Sequence, residues 1–296
     1  MKDHTAPLID NPHIDKKGAE LDRQRFKMLE DIARELSGDV VFPTSFDTVM
    51  RLRKALQDPD LSMAKLASVI TVEPLISARL LALANSVAYN PAGNEVRDLQ
   101  RAIERLGLQV VRTASLGIAM RQLIMARSVV GFQLQSDNLW KHSLRSASAA
   151  YVVAKRLTRH NPEEALLAGM VHDIGAFYMI YRAAQYDELV LRPDTTKYLI
   201  IRWHESIGHS LIVALGLPEA LAEAMIDHDQ PRSLPDTPKT LADIVYLANL
   251  LAGGSFEWLD IPNAMLPDEQ AKLRALAEQL KEEIDAHEAT LKAAFA

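Results

Sequence analysis

The chain contains no cysteine, which excludes disulfides, thiolate nucleophiles, cysteine-based zinc fingers and iron–sulfur clusters. Aromatic residues are scarce, at 6% of the 296 positions, while Leu and Ala abound, a balance that favours helices over sheets. Long apolar runs are missing too. Lys or Arg interrupts every stretch that approaches the roughly 20 residues a membrane span requires. The opening Met1-Lys2-Asp3-His4-Thr5-Ala6-Pro7 lacks the apolar centre of a secretory leader. There is no glycine-rich phosphate loop, since Gly253-Gly254 alone makes only a turn, and no serine stands in a nucleophile elbow. The net charge of −6 argues against non-specific nucleic-acid binding. These absences lead us to expect a cytoplasmic protein that engages neither membrane nor nucleic acid.

What the chain does hold is a set of histidines and aspartates in otherwise apolar sequence: His142, His172-Asp173, His204 and His228-Asp229. The segment before His172 reads Ala165-Leu166-Leu167-Ala168-Gly169-Met170-Val171, a core pattern. A polar pair buried there without partners would cost about 2–7 kcal/mol per group, so it must be hydrogen-bonded or bound to a cation. Neutral imidazoles and carboxylates converging from separate helices form the donor set of a divalent metal such as Fe, Mn, Zn, Ni or Mg. Adjacent helical residues point about 100° apart, so His172 and Asp173 meet one metal only where a helix ends, or else they share two metals. Gly175 is the expected ending. Asp173 and Asp229 are the candidates for a catalytic carboxylate.

Other histidines read more blandly. His209, four residues from Glu205, reads as a hydrogen-bonded core residue, whereas His4, His13, His160 and His287 lie in polar stretches and read as surface residues. Trp140 reads as core packing.

Apolar spacing predicts helices throughout and no sheet. An amphipathic helix over Ala19–Leu36 places Leu21, Phe26, Leu29, Ala33 and Leu36 on one face, with Gly38 as its stop. Short helices follow: one after Pro43-Thr44, one capped at Ser62, one from Pro74, and Leu99–Gly107 with Gly107 as C-cap. Longer helices are expected at 109–127, 137–159, 163–184, 195–215, 218–228 and 237–251. A tail helix over 267–294 carries Leu273, Leu276, Leu280, Ile284 and Leu291 on one stripe and is expected to pack on the body. The fold class is all-α.

These elements resemble the HDOD family, the HD-related output domain of bacterial signalling proteins. The first half carries the likeness in Phe42-Pro43-Thr44, Asp58-Pro59-Asp60-Leu61-Ser62, Leu80–Ser86 and Ala102-Ile103-Glu104-Arg105-Leu106-Gly107. The second half adds Leu139-Trp140-Lys141-His142-Ser143, Ala168–Gly175, His204 with Gly208, Leu217-Pro218 and His228. The resemblance implies a multi-helical HDOD domain over 39–255, with an N-terminal helical half (39–130) and an HD-like half (131–255). Helical extensions at 1–38 and 256–296 flank it and could pair two copies as a homodimer.

In active HD relatives a first His, a His-Asp pair and a distant Asp hold the metal. The resemblance assigns the first three to His142, His172 and Asp173, and Asn249 stands where the distant Asp belongs. An amide is a weaker ligand than a carboxylate. Ala176 also stands where cyclic-dinucleotide phosphodiesterase relatives carry Lys, and His228-Asp229-Gln230-Pro231-Arg232 lacks their Gly-Tyr-Pro signature. The implied function is a regulatory module with a degenerate HD metal site, acting by binding a signalling protein or a small nucleotide. The alternatives are a metal-dependent phosphohydrolase of a nucleotide or cyclic dinucleotide, and a metal or redox sensor.

Overall fold

Local helix signals account for most of the architecture. The computed structural model describes residues 26–34, 51, 54–55, 58, 62–71, 74–125, 131–230, 232–253 and 267–295, and these contain helices and turns but no strand. In chain order the helices are α1 (26–34), α2 (Met63–Thr71), α3 (Pro74–Ala84), α4 (Leu99–Met125), α5 (Gln133–Leu157) and α6 (Pro162–Val171). They continue as α7 (Ile174–Ala183), α8 (Asp187–Val190), α9 (Pro193–Ala214), α10 (Glu219–Glu223), α11 (Leu241–Leu251) and α12 (Pro267–Phe295). Among the described residues no helix is long and apolar enough to cross a membrane.

Capping explains several starts. Ser62 Oγ accepts from Lys65 N at 3.1 Å ahead of α2, as the sequence predicts. Asn161 caps α6 through Glu163 N, with Pro162 in the first turn. Thr240 and Asp243 form a reciprocal capping box on α11, and Asp243 also pairs with Arg232 at 3.3 Å. Asp243 is therefore committed to the helix start. Thr240→Ala should lower stability by about 1 kcal/mol, read as a fall of roughly 2–4 °C in the thermal midpoint. An unchanged midpoint would show that the box is dispensable.

Gly107 sits at φ 76, ψ 162 inside α4, so two helical runs abut there at the break the sequence predicts. The centre of the protein is α5. Its buried face is built from small residues, including Ser143, Ser146, Ala147 and Ala150, against which α6 packs closely. On other sides α5 meets α11 and α12. The tail helix α12 buries Leu280, Ile284 and Leu291 and also touches α3, so it packs on the body as its stripe predicts. Arg145 to Glu288 at 2.8 Å and Arg156 to Glu283 at 2.7 Å fasten it to α5.

Several expectations need correction. In α1 it is Met28 and Ile32 that are buried, while Phe26 is 57% exposed and Ala33 also faces out, so the buried face is rotated from the predicted one. The helix expected over 163–184 is two helices broken at His172-Asp173, and the one expected over 218–228 shortens to Glu219–Glu223 followed by turns. His287 is no plain surface residue. It stacks on Tyr151 at 4.3 Å between centroids, and burial, with Lys155 nearby, pushes its pKa down to about 4. His160 likewise has a partner, with Nε2 donating to Lys239 O at 2.9 Å. His4, His13, Leu21, Leu36, Gly38 and Pro43-Thr44 lie outside the described residues.

Candidate metal centre

Two close helix crossings assemble the histidines. At Gly169 of α6, a Cβ would stand 2.7 Å from Ser146 O and 2.9 Å from Ala147 Cα of α5. At Gly175 of α7, a Cβ would fall 1.9 Å from His204 O and 2.6 Å from Gly208 N of α9. Only hydrogen fits at either point. The first crossing brings His142 on α5 to His172, and the second brings His204 on α9 to Asp173. Gly175 is thus a contact glycine inside α7 and not the helix terminator that sequence spacing suggests.

The helix break falls between the two residues of the His-Asp pair. His172 closes α6 in a helical conformation, and Asp173 at φ −100, ψ 17 opens α7. Asp173 O accepts from Ala176 N at 2.9 Å, which starts the new helix. An aspartate in this place ordinarily caps its helix with the side chain, a bond worth about 1 kcal/mol. Asp173 makes no such bond. Its carboxylate turns into the cluster instead.

There it touches histidines with both oxygens. Oδ2 lies 3.1 Å from His172 Nε2 and 3.7 Å from His142 Nε2. Oδ1 lies 3.3 Å from His228 Nε2 and 3.6 Å from His204 Nε2. His142, His172 and Asp173 therefore make one donor group, and Asp173, His204 and His228 make another, with Asp173 common to both. Asp229 joins the second, its Oδ2 3.3 Å from His204 Nε2 and 3.9 Å from His228 Nε2.

Backbone carbonyls orient three of the four rings. Nδ1 of His172 bonds Gly169 O at 2.9 Å, that of His204 bonds Ile200 O at 2.8 Å, and that of His228 bonds Met225 O at 2.7 Å. A carbonyl only accepts, so each Nδ1 carries hydrogen and each Nε2 faces the cluster. Facing Nε2 atoms approach to 3.2 Å (His142–His172) and 3.3 Å (His204–His228). Two bare nitrogen lone pairs repel at that distance, so a proton or a cation must stand between them. His142 Nδ1 and Asn249 Oδ1 are buried without a hydrogen bond of good geometry. The donor set, its orientation and the close facing of the Nε2 atoms fit a divalent metal.

Without a cation, protons balance the charge. Burial works against the charged form of His228, but Asp229 and Asp173 outweigh it and raise the pKa to about 10. Burial likewise opposes charge on His204, yet the bond to Asp229 and the nearness of Asp173 raise it. His142, by contrast, is lowered to about 4 by burial and by His172. Burial alone would raise both carboxylates, but His172 and His228 hold Asp173 well below its ordinary range, and His228 and His204 do the same for Asp229. A divalent cation must displace the His228 proton to bind. Calorimetric titration with Mn²⁺ at pH 7, repeated in buffers of different ionisation enthalpy, should therefore show net proton release and weaker binding as pH falls. Binding indifferent to pH between 6 and 9 would contradict this balance.

Asn249, on α11, is also in the cluster. Its Nδ2 donates to His228 O at 3.0 Å and to Asp229 Oδ1 at 2.8 Å. The six predicted donors and Asn249 thus gather in one place. Sequence reading missed Glu205, which accepts from Asp227 N at 3.3 Å and Asp229 N at 3.2 Å and so braces the loop bearing His228. That loop needs bracing, because Asp227 lies at φ 59, in the left-handed region. Adjacency to His204 was the one available signal. His209, expected as a core residue, is only half-buried. Trp140 is core, edge-on to Phe177 at 6.4 Å.

The HDOD domain family model matches residues 42–231. A protein of Shewanella amazonensis SB2B, assigned by name to the metal-dependent phosphohydrolases, has a similar structure: TM-score 0.71, 21% identity, 93% of this chain and 100% of that one covered. A Marinobacter aquaeolei VT8 protein, named for signal transduction, aligns with TM-score 0.58 and 19% identity over 92% of this chain and 65% of its own. At these identities the likeness is one of fold. An uncharacterised protein of Treponema pallidum (strain Nichols) is 20% identical over 92% of this chain, which spans about half (55%) of that relative's length.

Proposed function

The chain belongs to the HDOD family, and from that premise we propose a signal-transduction module that holds divalent metal in a sealed His/Asp cluster and acts on a partner rather than by turnover. The observation that carries this reading is burial. His142, His172, Asp173, His204, His228 and Asn249 are each at most 4% exposed. Asp229 is the most open of the set, with 12% of its side chain accessible. A phosphate ester needs an open coordination position and room beside it. In this conformation the donors face one another and not a cleft. Ala176, where phosphodiesterase relatives carry Lys, is fully buried, so no cation stands ready for a phosphate there.

The partner side of the reading is supported by α9. The helix that turns His204 inward leaves Tyr198 (61%) and Trp203 (41%) exposed. Exposed aromatics of this size are characteristic of protein contact surfaces. A change at His204 is carried by the same rigid helix that bears them. The expected partner is a signalling protein in the bacterial cytoplasm.

A second reading, hydrolysis of a nucleotide or cyclic dinucleotide, is favoured by Asp173 serving two donor groups. Bound metal in such a site supplies Lewis acidity and an activated water. His142, His172 and Asp173 would hold one ion, and Asp173, His204, His228 and Asp229 a second. One experiment separates the two readings. Anaerobically purified protein should contain stoichiometric Fe, Mn or another divalent metal by elemental analysis, with no turnover across a panel of nucleotides and cyclic dinucleotides. Turnover that His172→Ala abolishes would overturn the signalling reading in favour of the enzyme. Protein free of metal under all conditions would sink both.

A further inference from the structure

The amide at position 249 stands where HD relatives place a metal-binding carboxylate, and erosion of that site is the simple explanation. The contacts of Asn249 favour a different one. Asn249 lies on α11, 1% exposed, with its side-chain amide facing two hydrogen-bond acceptors. Its Nδ2 reaches His228 O at 3.0 Å and Asp229 Oδ1 at 2.8 Å. Since a carbonyl and a carboxylate both accept, the atom facing them must be the amide nitrogen, and its two hydrogens are both used. A carboxylate in the same place would oppose a second carboxylate at hydrogen-bond distance. Like charges so close cannot both stay ionised in a buried site.

Asp229 is held at both ends. Its Oδ1 takes the Asn249 hydrogen, while its Oδ2 faces His204 Nε2 at 3.3 Å. It arrives on a loop after α10, and its backbone is braced by Glu205. Besides Asn249, the groups that set the rotation of the carboxylate are His204 and His228. We propose that Asn249 is a positioning residue, anchoring Asp229 so that its Oδ2 completes the donor group of Asp173, His204 and His228. The anionic donor of the HD arrangement has in effect moved from position 249 to 229, and the amide is the condition for its staying there. This rests on the metal-binding reading above, but it also makes a claim about the metal-free protein.

The two accounts of position 249 predict opposite results for Asn249→Asp. If the residue is an eroded ligand, restoring the carboxylate tightens metal binding. If it is an anchor, the new charge displaces Asp229 and weakens the second ion, by roughly the 10–100-fold typical of lost outer-shell partners. Full-length protein would be titrated anaerobically with Co²⁺, following stoichiometry by elemental analysis and ligand geometry by visible absorption. The expected result is a first equivalent bound as in wild type and a second bound at least 10-fold more weakly, with a changed absorption band. Asn249→Ala should show the same weakening without the added charge.

Folding is followed separately by thermal melts of metal-free protein. The double variant Asp229→Asn with Asn249→Asp re-makes the bond in the opposite sense. The bond to His228 O is not restored, so it should melt between Asn249→Asp alone and wild type, and still bind the second Co²⁺ weakly. Tighter or unchanged Co²⁺ binding by Asn249→Asp overturns the proposal, as does a double variant no more stable than that single one. A wild type that takes up no Co²⁺ defeats the metal reading instead. The anchor is then decided by the melts alone.

Discussion

Gly175→Ala is expected to be among the most damaging single-methyl additions in the protein. The new Cβ would stand 1.9 Å from His204 O and 2.6 Å from Gly208 N, both backbone atoms of α9, so no side-chain rotation can relieve the clash. Alanine gains about 0.5–1 kcal/mol over glycine in a helix interior. Overpacking a tight core typically costs about 1–3 kcal/mol, and here backbone must move, which places the cost at or above that range. The clash wins. We expect destabilisation of about 2–3 kcal/mol net, or roughly 4–12 °C in the thermal midpoint.

Metal uptake should fall with it, because the atom displaced belongs to His204 itself. Gly208→Ala is the control. Its Cβ would meet Gly175 N at 3.4 Å, an ordinary contact, so helix propensity should leave it near wild-type stability. Circular dichroism melts of both proteins check this directly. Equal stability of Gly175→Ala and Gly208→Ala would mean that the two helices do not cross as closely as described.

The second large effect is expected at Asp173→Asn. Asp173 is 1% exposed, and its two oxygens serve both donor groups. Replacing one oxygen by an amide leaves neither group with an anionic donor common to both, so metal content should drop from both positions and not from one. Even without metal the change is costly. Removing one partner of a buried ionic cluster costs about 3–5 kcal/mol, because the histidines opposite lose the charge that balances them.

The pH dependence has a definite sign. The folded-state pKa of Asp173 is depressed, so its contribution is present above the unfolded value near 3.9 and is lost as pH falls through the depressed folded value. The stability gap between wild type and Asp173→Asn should therefore be full at pH 5–7 and close only in stronger acid. Urea melts at pH 7 and at pH 2–4, with elemental analysis of the purified variant, test both parts. Retention of two equivalents of metal by Asp173→Asn would falsify the shared-carboxylate arrangement.

Much of the site is legible in the sequence because a buried charge leaves a mark there. His142, His172, Asp173, His204 and His228 stand among apolar neighbours, and the cost of unpaired burial already requires that they find one another. The start of α2 follows from Ser62, since caps act within a few residues. The errors occur where a residue acts at a distance. Gly175 reads as a helix end when only neighbouring positions are considered, because the carbonyl that excludes its Cβ is 29 positions away on α9. Phe26 reads as core because periodicity gives the spacing of a buried face but not which way that face turns. Asn249 reads as loss, and Glu205 reads only as a neighbour of His209, because both act through Asp229, which neither adjoins.

What the sequence determined alone was therefore the helical class, the caps and the identity of the charged groups that must be buried together. Each depends on local backbone preference or on the solvation cost of a single side chain. The tertiary structure decided the rest: that α5 meets α6, and α7 meets α9, at glycines, that Asp173 gives up its cap to face four imidazoles, and that an amide at 249 holds Asp229 in place. Those outcomes depend on distances between segments far apart in the chain, and such distances exist only once the helices have packed.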